Sequence, residues 1–169
     1  TPHHLAFTDE DVRATDPVFT MMPPLRAERD RAALVEALRH GVVDVVATDH
    51  APHADHEKDV PFEEAPNGVI GLEWAAAVVN EVAELEPHRF FEVMSVKPAE
   101  IGMFPDQGKW LEAGVPANIV VFDPDGATDI AQAQSKSRNA PYSGRQWKGE
   151  VRYTMYAGRL THEKSGVNA

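Results

Sequence analysis

Apolar residues recur along this chain with two different periods, and the change of period divides it. From Glu28 to His40 the spacing is helical: Leu34, Val35 and Leu38 share one face, and Gly41 follows where a left-handed closing residue suits a helix end. Val42-Val43-Asp44-Val45-Val46 is a β-branched run, and the segment to Thr48 reads as a buried strand. Gly71 to Leu85 carries a stripe of Leu72, Ala75, Ala76, Val79 and Val82, which predicts a second helix. Pro87 to Met94 predicts a third, and Ser95 is a candidate cap for a short helix containing Pro98, Ala99 and Ile101.

From about Gly108 the period becomes that of strands. Ile119 to Phe122 is a β run ended by Asp123-Pro124-Asp125-Gly126. Glu150 to Tyr156 alternates, and Ala157-Gly158 turns it toward Arg159-Leu160-Thr161, a predicted hairpin. Thr1 to Pro24 reads as loop and connector, with a helix start at Thr8-Asp9-Glu10-Asp11. Residues 127–148 read as irregular, and no internal repeat is visible.

Composition narrows the function classes. Net charge is −11, from 16 basic and 27 acidic residues in 169, which argues against a phosphate-binding surface for nucleic acid. No apolar run approaches the roughly 18 residues a membrane helix needs. Cysteine is absent, so disulfides and thiolate metal sites are excluded, and a cytoplasmic setting is compatible.

The chemistry concentrates in Ala47-Thr48-Asp49-His50-Ala51-Pro52-His53, where the predicted strand ends and a long loop to Asn67 begins. A strand-end carboxylate can be a metal ligand, a general base or both. The alternative is a turn in which Asp49 caps backbone donors and Pro52 punctuates.

Thr48-Asp49-His50-Ala51-Pro52-His53 resembles the signature of the dihydroorotases, a family of the amidohydrolase superfamily. Further matches follow in order: Thr1-Pro2-His3-His4-Leu5, Pro23-Pro24-Leu25-Arg26, Glu57-Lys58, Pro66 to Glu73, Gly114 to Asp123, and Asn139-Ala140-Pro141-Tyr142. Together they span nearly the whole chain. Allantoinases usually place Ser where Ala51 stands and Cys where His53 stands, so this pair favours dihydroorotase.

The resemblance implies an α/β fold: residues 1–107 as the C-terminal part of a (β/α)8 barrel, and 108–169 as the β-rich tail of a small flanking β-sandwich. A whole barrel needs at least about 200 residues, so the chain is expected to be the C-terminal half of a longer protein. The expected activity is interconversion of N-carbamoyl-L-aspartate and dihydroorotate in pyrimidine synthesis. One or two zinc ions would activate water, and Asp49 would be ligand and base. The remaining ligands would lie outside this chain, which is therefore expected to be inactive alone.

By the same resemblance His53 contacts the substrate carboxylate, and Asn67 with Gly68 approaches the substrate ring; local alternatives are a surface histidine and an ordinary Asn-Gly turn. Met22 departs from the family, which typically has Asn there as a substrate contact, and Met cannot reproduce an amide's hydrogen bonds. Expected partners are a small-molecule substrate, the N-terminal half, and a second copy or aspartate carbamoyltransferase. The alternatives are a non-catalytic dihydroorotase-like subunit and a hydantoinase-type cyclic amidase. His3 and His4 are expected to orient the site or pack, and His50 to support the loop. His40 suits a helix C-terminus, and His56, His88 and His162 are expected to face solvent. Asp55, Glu57, Lys58 and Asp59 are expected to form a solvated loop face.

Overall fold

The computed structural model describes residues 1–12, 16–128 and 133–164. Of the stretch expected to be irregular, residues 129–132 fall outside this range. The helices are α1 (Pro2–Ala6), α2 (Glu28–Arg39), α3 (Asp55–Lys58), α4 (Ala75–Ala83), α5 (Pro87–Phe91) and α6 (Lys97–Ile101). The strands β1 (Ile119–Thr128), β2 (Trp147–Tyr156) and β3 (Arg159–Glu163) form one antiparallel sheet in that order.

The amphipathic helix over 28–40 forms as its spacing requires. Val35 and Leu38 are buried, Leu34 packs beside them, and Gly41 closes the helix at φ +74. The second helix is shorter than its stripe suggested. His50 Nδ1 accepts the N–H groups of Gly71 and Leu72 in a turn before α4, which leaves Leu72 exposed. Glu84 then ends α4 in the left-handed region at φ 45. Helix α4 is nearly apolar all round because it serves two clusters. Val79 and Ala83 join Leu5, Val35, Leu38, Phe90 and Val93. Trp74, Ala77 and Val78 join Ile70, Ala140, Tyr142 and Trp147. The second cluster thus draws on residues before and after position 107.

Ser95 does not cap a helix. It lies in a π turn, Glu92–Val96, that joins α5 to α6 without a break, and Lys97 N–H bonds Glu92 C=O across it. Pro98 supplies a reason: it offers no N–H to the preceding turn, and the wider ring absorbs the lost bond.

The Asp123-Pro124-Asp125-Gly126 turn is a bulge inside β1 rather than its end. Asp123 Oδ1 accepts the Asp125 and Gly126 amides at 3.0 Å each, and pairing with β2 resumes at Ala127. The predicted hairpin is present between β2 and β3, with Ala157 and Gly158 at φ 49 and 77.

The Val42–Thr48 segment is not a buried strand: the Val42 and Val43 N–H groups still bond the Ala37 carbonyl of α2, and no strand forms from 44 to 48. Val42 is 76% exposed, Val46 is buried, and a bond from Val46 N–H to Val93 C=O holds the run. The one parallel pairing among the described residues is a bridge between His50 and Val69. A β-branched run acquires strand geometry from a neighbour on each edge, and the described residues supply neither. The fold shown is α/β with a small antiparallel sheet.

Candidate functional site

The candidate site begins where the 42–48 segment ends. Asp49 takes φ +48, a region open to Asp at a modest cost, and is exposed. Its carboxylate makes no hydrogen bond or ion pair among the described residues, which argues against the capping-turn reading. Its negative charge acts on His4, whose Nε2 lies 2.8 Å from Pro23 C=O and whose Nδ1 lies 2.6 Å from Thr1 Oγ1. Burial nevertheless lowers the His4 pKa.

His53, Asn67 and Gly68 do come together. His53 Nε2 lies 2.9 Å from the Asn67 carbonyl. Gly68 sits at φ +130, and a Cβ there would fall 2.8 Å from Ala51 Cβ and 3.0 Å from His53 Nε2. Glycine is required at this point by both backbone and contact. Glu57 Oε2 approaches the other ring nitrogen at 3.7 Å. His53 is therefore not a free surface histidine, and its ring is oriented by backbone.

Two residues that organise this cluster lie outside the site predicted from sequence. Asn139 is buried, its amide donates to the Ala51 and Gly68 carbonyls at 3.0 and 3.1 Å, and its Oδ1 accepts the His53 N–H at 3.3 Å. Its motif was visible in the tail, but its partners lie 71 to 88 positions away. Lys58 was expected in a solvated face and is instead half-buried, with Nζ 2.7 Å from Thr20 Oγ1 and 2.8 Å from Pro66 C=O. Thr20 C=O in turn accepts the Gly68 N–H at 2.9 Å.

Met22 does not join the cluster. It is 66% exposed, while its neighbour Met21 is buried with Leu25 and Val69. His50 supports the loop through Gly71 and Leu72 as expected, and His40, His56, His88 and His162 are exposed. A cavity of about 900 Å³ between α4 and the sheet is lined by His50, Glu73, Phe122, Glu150 and Lys164, but not by Asp49, His53 or Gly68. The candidate site is a surface of this chain rather than that cavity.

His3 is the main candidate for an additional ligand. It is 1% exposed, and neither ring nitrogen has a hydrogen-bond partner. Burial, with a smaller contribution from His4, lowers its pKa to about 3, so the ring is neutral and its lone pair available. Its ring centroid lies 4.5 Å from that of His4. An orphaned imidazole and an unpaired carboxylate are donors of the kind zinc takes, but a zinc site needs at least three protein ligands. No three His, Asp or Glu side chains converge among the described residues. These residues do not hold such an ion by themselves.

Residues 5–161 match the model of the amidohydrolase family. The chain belongs to the amidohydrolase family. It is 46% identical to the dihydroorotase of Streptomyces coelicolor, over 95% of this chain and 39% of that protein. It is 41% identical to the dihydroorotase of Mycobacterium tuberculosis, over 100% of this chain and 41% of that protein. The chain thus spans about two-fifths of the length of these relatives. Among solved structures it superposes on an L-hydantoinase (dihydropyrimidinase) from Arthrobacter aurescens with a TM-score of 0.87 and 29% identity, over 99% of this chain and 39% of that one. A dihydropyrimidinase from Brevibacillus agri gives 0.81 at 25% identity, over 96% and 38%. As an amidohydrolase segment similar along its whole length to dihydroorotases, the chain carries its candidate chemistry at Asp49 and in the His53–Gly68–Asn139 cluster.

Proposed function

We propose that this chain is part of a dihydroorotase that interconverts N-carbamoyl-L-aspartate and dihydroorotate, a cyclic amide hydrolysis in pyrimidine synthesis. The observation that carries the reading is the gathering of His53, Asn67 and Gly68 on the loop that Asp49 opens, with the Asn67 carbonyl on the His53 ring and Asn139 on the loop backbone. The anion is what distinguishes dihydroorotate from an uncharged cyclic amide, and the resemblance assigns its capture to His53.

In this proposal the 42–48 segment is a barrel strand whose neighbours lie outside the chain, and 108–169 is the sandwich tail. Zinc, one or two ions, would be held by Asp49 together with residues beyond this chain. Such an ion would supply a Lewis acid that makes water a nucleophile at neutral pH. Asp49 takes the proton from the attacking water and returns it to the ring nitrogen as the C–N bond breaks, so one carboxylate serves as base and then acid. His53, with the Asn67–Gly68 backbone, holds the substrate. The working form is cytoplasmic, with a second copy or aspartate carbamoyltransferase as candidate partners.

A second reading, a hydantoinase-type amidase, is favoured by the 0.87 TM-score to the Arthrobacter enzyme. A third, a non-catalytic subunit, is favoured by Met22 standing where the resembling family typically has a substrate-contacting Asn. Assay of the intact protein with zinc against dihydroorotate and against hydantoin separates them. Turnover of dihydroorotate supports the proposal, hydantoin turnover alone supports the second reading, and neither supports the third.

A further inference from the structure

Lys58 differs from the charges around it. Asp55, Glu57 and Asp59 face solvent, whereas the Lys58 ammonium reaches uncharged oxygens from separate segments. These are Thr20 Oγ1 at 2.7 Å, Pro66 C=O at 2.8 Å, Pro17 C=O at 3.1 Å and Thr20 C=O at 3.5 Å. The Thr20 hydroxyl also bonds Pro17 C=O and Pro66 C=O, at 2.7 and 3.1 Å. An ammonium has three N–H donors, and this cage replaces the water that each would otherwise bind. Burial pushes the lysine down to about 8, so it is still cationic at neutral pH.

A lysine without a carboxylate partner is a costly way to fill space, since a methionine would pack the same stem with no charge to desolvate. What the cage provides is geometry. It joins the Pro17–Thr20 turn, which leads to Met22, to the Pro66-Asn67-Gly68 loop. Gly68 N–H then bonds Thr20 C=O at 2.9 Å, and the Asn67 carbonyl sets the His53 ring.

We infer that Lys58 is a positioning residue: its ammonium fills an oxygen cage that holds Asn67 and Gly68, and through them the substrate-facing ring of His53, against the 17–22 connector. The inference rests on the dihydroorotase reading for its substrate but not for its structural content. The test uses the intact protein with Lys58→Ala and Lys58→Met, the latter keeping the aliphatic stem. Two readouts are taken: steady-state kinetics with dihydroorotate, and amide hydrogen exchange of the 64–70 segment. The expected result is KM raised about tenfold at nearly unchanged kcat, with faster exchange at Gly68. In Lys58→Ala, added methylammonium should restore both, and sodium at equal ionic strength should not. Unchanged KM and exchange in both variants would overturn the inference, as would a loss confined to kcat. If the wild type does not turn over dihydroorotate, the functional reading fails while exchange and its methylammonium rescue still decide the role of Lys58.

Discussion

Gly68 lies so close to His53 that a single added carbon would fall 3.0 Å from the ring nitrogen Nε2. The ring's position is therefore specified by the absence of a side chain 15 residues away. Gly68→Ala would meet this contact, a closer one to Ala51 Cβ, and a φ of +130 that alanine rarely adopts. We expect a stability loss of about 1–3 kcal/mol and a rise in KM for dihydroorotate. Urea unfolding and steady-state kinetics of the intact variant check both. A variant as stable as wild type, with the same KM, would mean the loop relaxes freely.

Asn139→Ala removes the donors to Ala51 and Gly68 and the acceptor for His53 N–H. A buried carbonyl left without a partner costs about 1–3 kcal/mol. The variant should lose stability by that order and raise KM more than it lowers kcat, because the contact lies with the substrate loop. Asn139→Asp should be worse, since a carboxylate faces two carbonyls where the amide donated. Equal stability of Asn139→Asp and wild type at pH 7 would contradict the hydrogen-bond assignment.

His3 makes stability depend on pH. Its folded pKa, lowered to about 3 by burial, lies below the unfolded value of 6.5. Between these values the unfolded chain binds the proton and the folded chain does not. Its contribution is therefore fully present above 6.5 and is lost as pH falls, by up to about 1.4 kcal/mol per pH unit. Urea midpoints of the metal-free intact protein at pH 7, 6 and 5 should fall more steeply for wild type than for His3→Leu. Parallel curves would remove His3 as the titrating group.

Met22→Asn tests the departure from the family pattern. The side chain is two-thirds exposed and outside the core clusters, so the change should leave stability nearly intact. A regained hydrogen bond to substrate is worth about 0.5–1.5 kcal/mol, or roughly threefold to tenfold in affinity. A KM for dihydroorotate that is unchanged or higher would mean Met22 belongs to the connector and not to the site.

The sequence pattern read some elements correctly because their stabilising contacts are local or periodic. Helix α2 follows the spacing of Leu34, Val35 and Leu38, and the β2–β3 hairpin follows Ala157-Gly158. The Asp49–His53 motif and the Asn-Gly loop were also legible, since chemistry and turn residues sit together in the chain. The rest depended on distant partners. Val42–Thr48 has strand composition, but a ladder needs neighbours that the pattern cannot reveal. Lys58 resembled its solvated neighbours because an oxygen cage assembled from residues 17, 20 and 66 leaves no trace at position 58. Asn139 clamps a loop more than 80 residues earlier in the chain. The apolar stripe from Gly71 overshoots the start of α4 because its first residues sit in the turn held by His50.

In the proposed reaction Asp49 moves the proton during ring opening. The most direct measurement is dihydroorotate hydrolysis by the intact, zinc-supplemented protein carrying Asp49→Asn, beside wild type and His53→Ala. Asp49→Asn is expected to lower kcat by at least about a hundredfold, the usual scale for a lost general base, while His53→Ala chiefly raises KM. An Asp49→Asn protein with near wild-type kcat and bound metal would contradict it.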